Sequence, residues 1–150
     1  MKRGIGWMVI FVMLFAVSLW AAGVIQRQPS TDGNFELSLI RAQVKGEVLT
    51  IQVVFKNTSS KRRRYAFFFR DVYYVDTEAK KKYYALKDTN GYYIAGPAYD
   101  RNAGGSFNVE FDPQGKAIFW IKFPAPQAPT EEIEIYIPWA LPFEGVKVKR

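Results

Sequence analysis

Apolar residues recur at every second position along most of residues 34–149, the period of strands whose two faces meet different surroundings. Phe35, Leu37 and Leu39 alternate with Glu36 and Ser38, after which the apolar set moves to Ile40, Ala42 and Val44. That slip of phase predicts a β-bulge near Leu39. Lys45-Gly46-Glu47 then predicts a turn into a second strand, where Leu49, Ile51, Val53 and Phe55 form one buried face and Asn57-Thr58-Ser59-Ser60 ends the run. A third strand, from Tyr65 to Val75, is almost continuously apolar and reads as a central strand covered on both sides.

A meander follows. Asp76-Thr77-Glu78-Ala79 reads as a loop, Lys82 to Lys87 as a strand, and Tyr92 to Ala95 as its return. Between them Asp88-Thr89-Asn90-Gly91 predicts a tight turn with Gly91 at positive φ, which would align Tyr83 and Tyr84 with Tyr92 and Tyr93. Gly96 to Gly105 is a longer polar loop. Ser106 to Phe111 is expected to pair with Lys116 to Phe123 through Asp112-Pro113-Gln114-Gly115. A proline-rich corner, Pro124 to Pro129, leads to Glu132–Ile137, and Val146–Lys149 closes an edge. Eight or nine short strands joined by Gly, Pro, Asn and Asp turns predict an all-β, immunoglobulin-like antiparallel β-sandwich, with a small barrel as the alternative of equal strand count.

The N-terminus breaks this pattern. Lys2 and Arg3 precede an apolar run from Trp7 to Trp20 that ends in Ala21, Ala22 and Gly23, the layout of an export signal. Cleavage before Val24 places Ala21 and Gly23 at the two small-residue positions of a signal-peptidase site. The uncharged stretch from Gly4 to Ile25 is also long enough to span roughly 30 Å of hydrocarbon, so retention as a single anchor is the other reading. The organisation expected is therefore residues 1–23 as signal peptide or uncleaved transmembrane anchor, residues 24–33 as a linker carrying Pro29 and Gly33, and residues 34–150 as one domain. Either way the domain is exported, periplasmic or extracellular, and free or anchored to the inner membrane.

Removing 23 of the 150 residues leaves 127, enough for a single core. An apolar share of 49% with 17% aromatics argues for a packed globule. The chain has neither cysteine nor histidine. That excludes thiol catalysis, thiolate metal sites, lipidation on cysteine, Ser-His-Asp machinery and most zinc or copper centres. Carboxylates remain, but Asp71, Asp76, Glu78, Asp88, Asp100, Glu110 and Asp112 sit beside turns or on alternating strands, with no Asp-x-Asp-x-Asp loop. Solvated turn acids are the expectation. No catalytic residue, metal ligand or cofactor is expected.

Two surface features suggest binding. The first is basic, Arg62-Arg63-Arg64 after Lys61 and the run Lys80-Lys81-Lys82, in loops flanking the third strand. Without Lys2 and Arg3 there remain 19 basic against 14 acidic residues, a modest positive field. The second is a gathering of Tyr73, Tyr74, Tyr83, Tyr84, Tyr92, Tyr93 and Tyr99 in the meander, where alternation exposes about half, with Tyr73, Tyr84 and Tyr93 expected outward. Partners suited to these surfaces are an envelope protein, an acidic envelope polymer or an anionic lipid surface; nucleic acid does not fit the compartment.

The run Val72-Tyr73-Tyr74-Val75-Asp76, then Lys81-Lys82-Tyr83, Leu86-Lys87-Asp88 and Gly91, then Phe119-Trp120-Ile121-Lys122-Phe123-Pro124-Ala125-Pro126 and Pro142-Phe143-Glu144-Gly145-Val146, resembles exported bacterial Ig-like domains of uncharacterised function. It is similar to the secreted immunoprotective-extracellular type of β-sandwich, and the resemblance covers most of residues 34–149. The expected function is a non-enzymatic, exported Ig-like module of the cell envelope acting by binding or structural support. The alternative is an envelope hydrolase using carboxylates on a sandwich scaffold, which needs two acids in one cleft.

Overall fold

Residues 23–100 and 104–150 are described by the computed structural model, so the export segment built on Lys2, Arg3 and the run to Ala22 lies outside the described residues. Among the described residues eleven strands and one 3-10 turn follow in order: β1 (Gln26–Pro29), β2 (Phe35–Lys45), β3 (Val48–Asn57), β4 (Arg63–Phe68), the turn Phe69–Asp71, β5 (Tyr73–Asp76), β6 (Lys81–Tyr84), β7 (Ala95–Gly96), β8 (Ser106–Phe111), β9 (Lys116–Pro124), β10 (Glu132–Tyr136) and β11 (Phe143–Lys147). All strand pairings are antiparallel, in sheets ordered β1-β2-β3-β9-β7, β11-β10-β5-β6 and β4-β8.

The longest hairpin follows the sequence pattern closely. β2 and β3 pair from Phe35↔Asn57 to Lys45↔Val48, and the register shifts between Leu39 and Arg41. The bulge lets Leu37 and Leu39 before it, and Ala42 and Val44 after it, all face the interior. Gly46 closes the hairpin at φ 58°, where a Cβ is disfavoured.

The two smaller sheets cover one face of the five-stranded sheet. Phe67 and Phe107 of β4 and β8 meet Phe55 and Phe119 of β3 and β9, with Phe55–Phe107 stacked at 4.9 Å and Phe67–Phe119 edge-on at 5.2 Å. In the four-stranded sheet Tyr74 packs edge-on to Phe123 at 5.3 Å. Each buried ring contributes roughly 1.5–3 kcal/mol of transfer free energy, which lets a domain without disulfides hold together. This two-layer arrangement of antiparallel sheets is consistent with a β-sandwich.

Several expectations change. The stretch from Tyr65 to Val75 is not one central strand: Tyr65, Phe67 and Phe69 are buried, then exposed Arg70 and Asp71 interrupt, then Val72 and Tyr74 are buried again. The two polar residues occupy the 3-10 turn, and the chain crosses there from the β4-β8 sheet to the four-stranded sheet. Likewise β8 and β9 do not pair with each other. β8 pairs with β4 and β9 with β3, so Asp112–Gly115 arches between layers. Nor are residues 24–33 a free linker, because Gln26–Pro29 pairs with Leu39–Glu36 as an edge strand. Buried Ser30 closes this hairpin, its hydroxyl donating to Asp32 at 2.6 Å and accepting the Phe35 N–H at 3.0 Å.

Two buried polar side chains tie the loops down. Asn57 Nδ2 donates to the carbonyls of Lys61, Phe111 and Asp112 at 2.8, 3.1 and 3.2 Å, joining the ends of three strands. Asp76, expected as a solvated turn acid, is fully buried; it accepts the Ala79 N–H at 3.0 Å and the Thr130 hydroxyl at 2.7 Å.

Candidate binding surface

The first basic run is neutralised locally. Because β4 and β8 pair Arg64 with Glu110, the Arg64 guanidinium reaches the Glu110 carboxylate at 2.7 Å, while Arg62 contacts Glu110 at 3.1 Å and Asp112 at 3.6 Å. The Arg64 hydrogen bond, then the nearby Arg62 charge, hold Glu110 below the ordinary carboxylate range. Arg63 points away from this group and adds its charge to the field around Asp32.

The second run meets the tyrosines. Strand pairing sets Tyr73 opposite Tyr84 on one side and Tyr136 on the other, and the three outward rings form a ladder across β6, β5 and β10. Tyr73 and Tyr136 stack at 4.7 Å, Tyr73 and Tyr84 lie 6.2 Å apart, and Lys82 Nζ sits 3.7 Å above the Tyr73 ring and 5.1 Å from Tyr84. A hydrogen bond to Tyr84 raises the Lys82 pKa. Tyr136 donates to Glu134 at 2.7 Å, and this bond pushes its pKa up to about 12. The inward partners Tyr74 and Tyr83 stack at 4.7 Å; burial drives the Tyr74 pKa upward, and its hydroxyl donates to the Pro124 carbonyl.

The expected alignment of Tyr83 and Tyr84 with Tyr92 and Tyr93 does not occur. The Asp88–Gly91 turn forms with Gly91 at φ 82°, but it sets Lys87 opposite Tyr93. Tyr93 is therefore separate from the ladder and carries its own cation, Lys87 Nζ at 4.7 Å. Lys81 rests 5.2 Å from Tyr83, and Lys80 is exposed in the turn at φ 53°. The ladder is thus largely occupied by the protein's own lysine.

A different place is open. The outer face of β4 and β8 carries small side chains, Ala66, Ser106 and Asn108, and around this floor stand Phe68, Tyr99 and Trp139, exposed by 45, 61 and 66%. Together they line a groove of about 340 Å³, with Asp71 and Asp100 also in its wall. Of the 21 described Phe, Tyr and Trp rings 11 are buried in the core, whereas these three are exposed.

Trp139 is held there at a cost. Its backbone is left-handed at φ 66°, a conformation unfavourable for a bulky side chain by roughly 1–2 kcal/mol. The indole Nε1–H donates to the Ala66 carbonyl at 3.1 Å, and the Trp139 carbonyl accepts the Thr31 N–H at 2.8 Å. Nothing in the spacing of Phe68, Tyr99 and Trp139 along the chain signals that they meet. The available signal was Trp139 itself, a large ring between Pro138 and Ala140-Leu141-Pro142, past the end of the alternating run that closes at Ile137.

Among the described residues no group of three or more acidic side chains is arranged to hold a metal ion. Comparison of the chain with protein-family models, with curated proteins and with solved structures finds no match.

Proposed function

We propose that this chain is an exported, non-enzymatic Ig-like module of the bacterial cell envelope that works by binding, its first 23 residues acting as signal peptide or single anchor. The N-terminal sequence supports export, and the two-layer antiparallel architecture supports the Ig-like reading. The observation that carries binding is the groove in which Phe68, Tyr99 and Trp139 are exposed together around a floor of the small side chains Ala66, Ser106 and Asn108. Exposed aromatics gathered at one place, rather than scattered singly, mark an interaction site. Flat rings beside hydroxyl, amide and carboxylate groups suit a sugar, whose C–H faces stack while its hydroxyls find polar partners. Asp71 and Asp100 in the wall disfavour an acidic one, so the ligand is a neutral glycan.

Titration of the full-length chain with neutral gluco-, manno- and N-acetylhexosamine oligosaccharides, followed by tryptophan fluorescence and calorimetry, tests this. Trp139→Ala should weaken the best ligand by about tenfold, the worth of one good ring contact. Wild-type affinity in that variant would remove the groove from consideration. The hydrolase reading retains one observation, that two carboxylates line the same groove. Release of reducing ends from a glycan by wild type but not by Asp71→Asn or Asp100→Asn would place the chain in that class.

A further inference from the structure

The outer face of the five-stranded sheet carries a second, chemically opposite surface. Strand register places Arg41 beside Gln52 and Trp120, and Gln43 beside Thr50 and Lys122. Lys45 ends the same outward row of β2, and the bridge between Gln43 and Lys149 brings the C-terminal segment alongside. Arg41, Gln43, Lys45, Thr50, Gln52, Trp120 and Lys122 line a depression of about 350 Å³ that contains no acidic side chain. Of its cations, Lys122 donates to the Thr50 hydroxyl at 2.9 Å, and none forms an ion pair among the described residues. This contrasts with Arg62 and Arg64, whose charges are already met by Glu110.

From this charge complementarity we infer that the Arg41–Lys45–Lys122 depression is a binding site for an acidic polysaccharide. Arg41 and Lys45 are about 13 Å apart along β2, and Lys122, in register with Gln43 two strand spacings away, lies about 12 Å from each, so the cations match anionic groups spread along an extended chain rather than one compact ion. Gln43, Gln52 and Thr50 between them present amides and a hydroxyl to sugar hydroxyls. Trp120 offers a half-buried ring that is fixed from behind: a Cβ on Gly96 would lie 2.9 Å from the indole, so the β7 backbone rests directly against it. A concave, hydroxyl-binding floor fits a polymer strand better than a planar lipid surface.

The test uses the full-length chain in mild detergent with polygalacturonate and dextran sulfate as probes, unmodified dextran as the uncharged control, and glycerol phosphate as a soluble stand-in for an anionic lipid headgroup. Binding to an acidic polymer that weakens with salt, and that the Arg41→Gln/Lys122→Gln double variant loses by about tenfold per charge removed, supports the site. Arg62→Gln/Arg64→Gln removes the same formal charge elsewhere and should bind as wild type. Equal loss in both double variants would reduce the effect to net charge and overturn the proposal, as would tighter binding to glycerol phosphate than to either polymer. Absence of binding to both acidic polymers would also overturn it, with the Trp139 titration left unaffected because that site shares no residue with this one.

Discussion

Substitution of Trp139 by alanine and by glycine separates what its ring contributes from what its backbone costs. About a third of the residue is buried, since 66% is exposed. Removing it forfeits about 1 kcal/mol of transfer free energy and about 0.5–1 kcal/mol for the exposed hydrogen bond to the Ala66 carbonyl. Trp139→Ala should therefore lose about 1.5–2 kcal/mol, because alanine at φ 66° keeps the left-handed strain. Trp139→Gly loses the same contacts but releases about 1–2 kcal/mol of strain, offset by about 0.5–1 kcal/mol of added freedom in the unfolded chain. The glycine variant should come out about 0.5–1 kcal/mol more stable than the alanine variant, the reverse of their order at an ordinary strand position. Urea unfolding followed by circular dichroism resolves this as a midpoint shift at constant slope. Both variants should lose glycan binding equally. Alanine equal to or more stable than glycine would show that the backbone stores no strain and that Trp139 is merely tolerated there.

Asn57→Ala should cost about 3 kcal/mol, since it strips donors from three carbonyls, one of them buried; a loss under about 1 kcal/mol in chemical denaturation would mean that water replaces the amide at no penalty. Gly91→Val should cost about 1–2 kcal/mol through the backbone alone, because an added Cβ at φ 82° meets nothing within 4 Å, and an unchanged thermal midpoint would refute the turn geometry. Asp32 is held below its ordinary pKa, first by the Ser30 hydroxyl and then by the Asn34 N–H, so its stabilisation is present above about pH 4 and lost as pH falls through the lower folded value. Asp32→Asn should accordingly be less stable than wild type at pH 7 and converge with it in strong acid; a gap that stays constant down to about pH 2 would contradict the assignment.

Where local chemistry decides the outcome, the sequence was a sufficient guide. The phase change from Leu39 to Ala42 located the bulge, and Asp88-Thr89-Asn90-Gly91 located a turn whose conformation depends on the residues inside it. Pairing between distant strands was less legible. A hairpin and an arch present the same Phe111-turn-Phe119 pattern, because inward alternation is identical whether the second strand returns in its own sheet or crosses to the other layer. Continuous hydrophobicity from Tyr65 to Val75 concealed a sheet change for a similar reason: only Arg70 and Asp71 mark the break. Consecutive charges drew the eye to Arg62–Arg64, where cross-strand acids cancel them. Cations at alternating positions, Arg41 and Lys45 with Lys122 far along the chain, leave no local run, although their common outward phase was readable once the strands were known.

The two surfaces face opposite ways because of that alternation. Ala66, Phe68, Ser106 and Asn108 are the outward residues of strands whose inward residues, Phe67 and Phe107, meet Phe55 and Phe119. Arg41, Gln52 and Lys122 are outward on the sheet that supplies Phe55 and Phe119. The core therefore separates an acid-lined aromatic groove from an acid-free cationic depression, so neither shares a side chain with the other. A neutral glycan in the first leaves the charge presented by the second unchanged. Binding at the two should then be additive, with the affinity for dextran sulfate the same in the presence and absence of saturating neutral oligosaccharide. Such independence would let one small domain hold both proposed polymers at once. A change in one affinity on filling the other site would instead require the packed core to move as a unit, which its interlocked rings oppose.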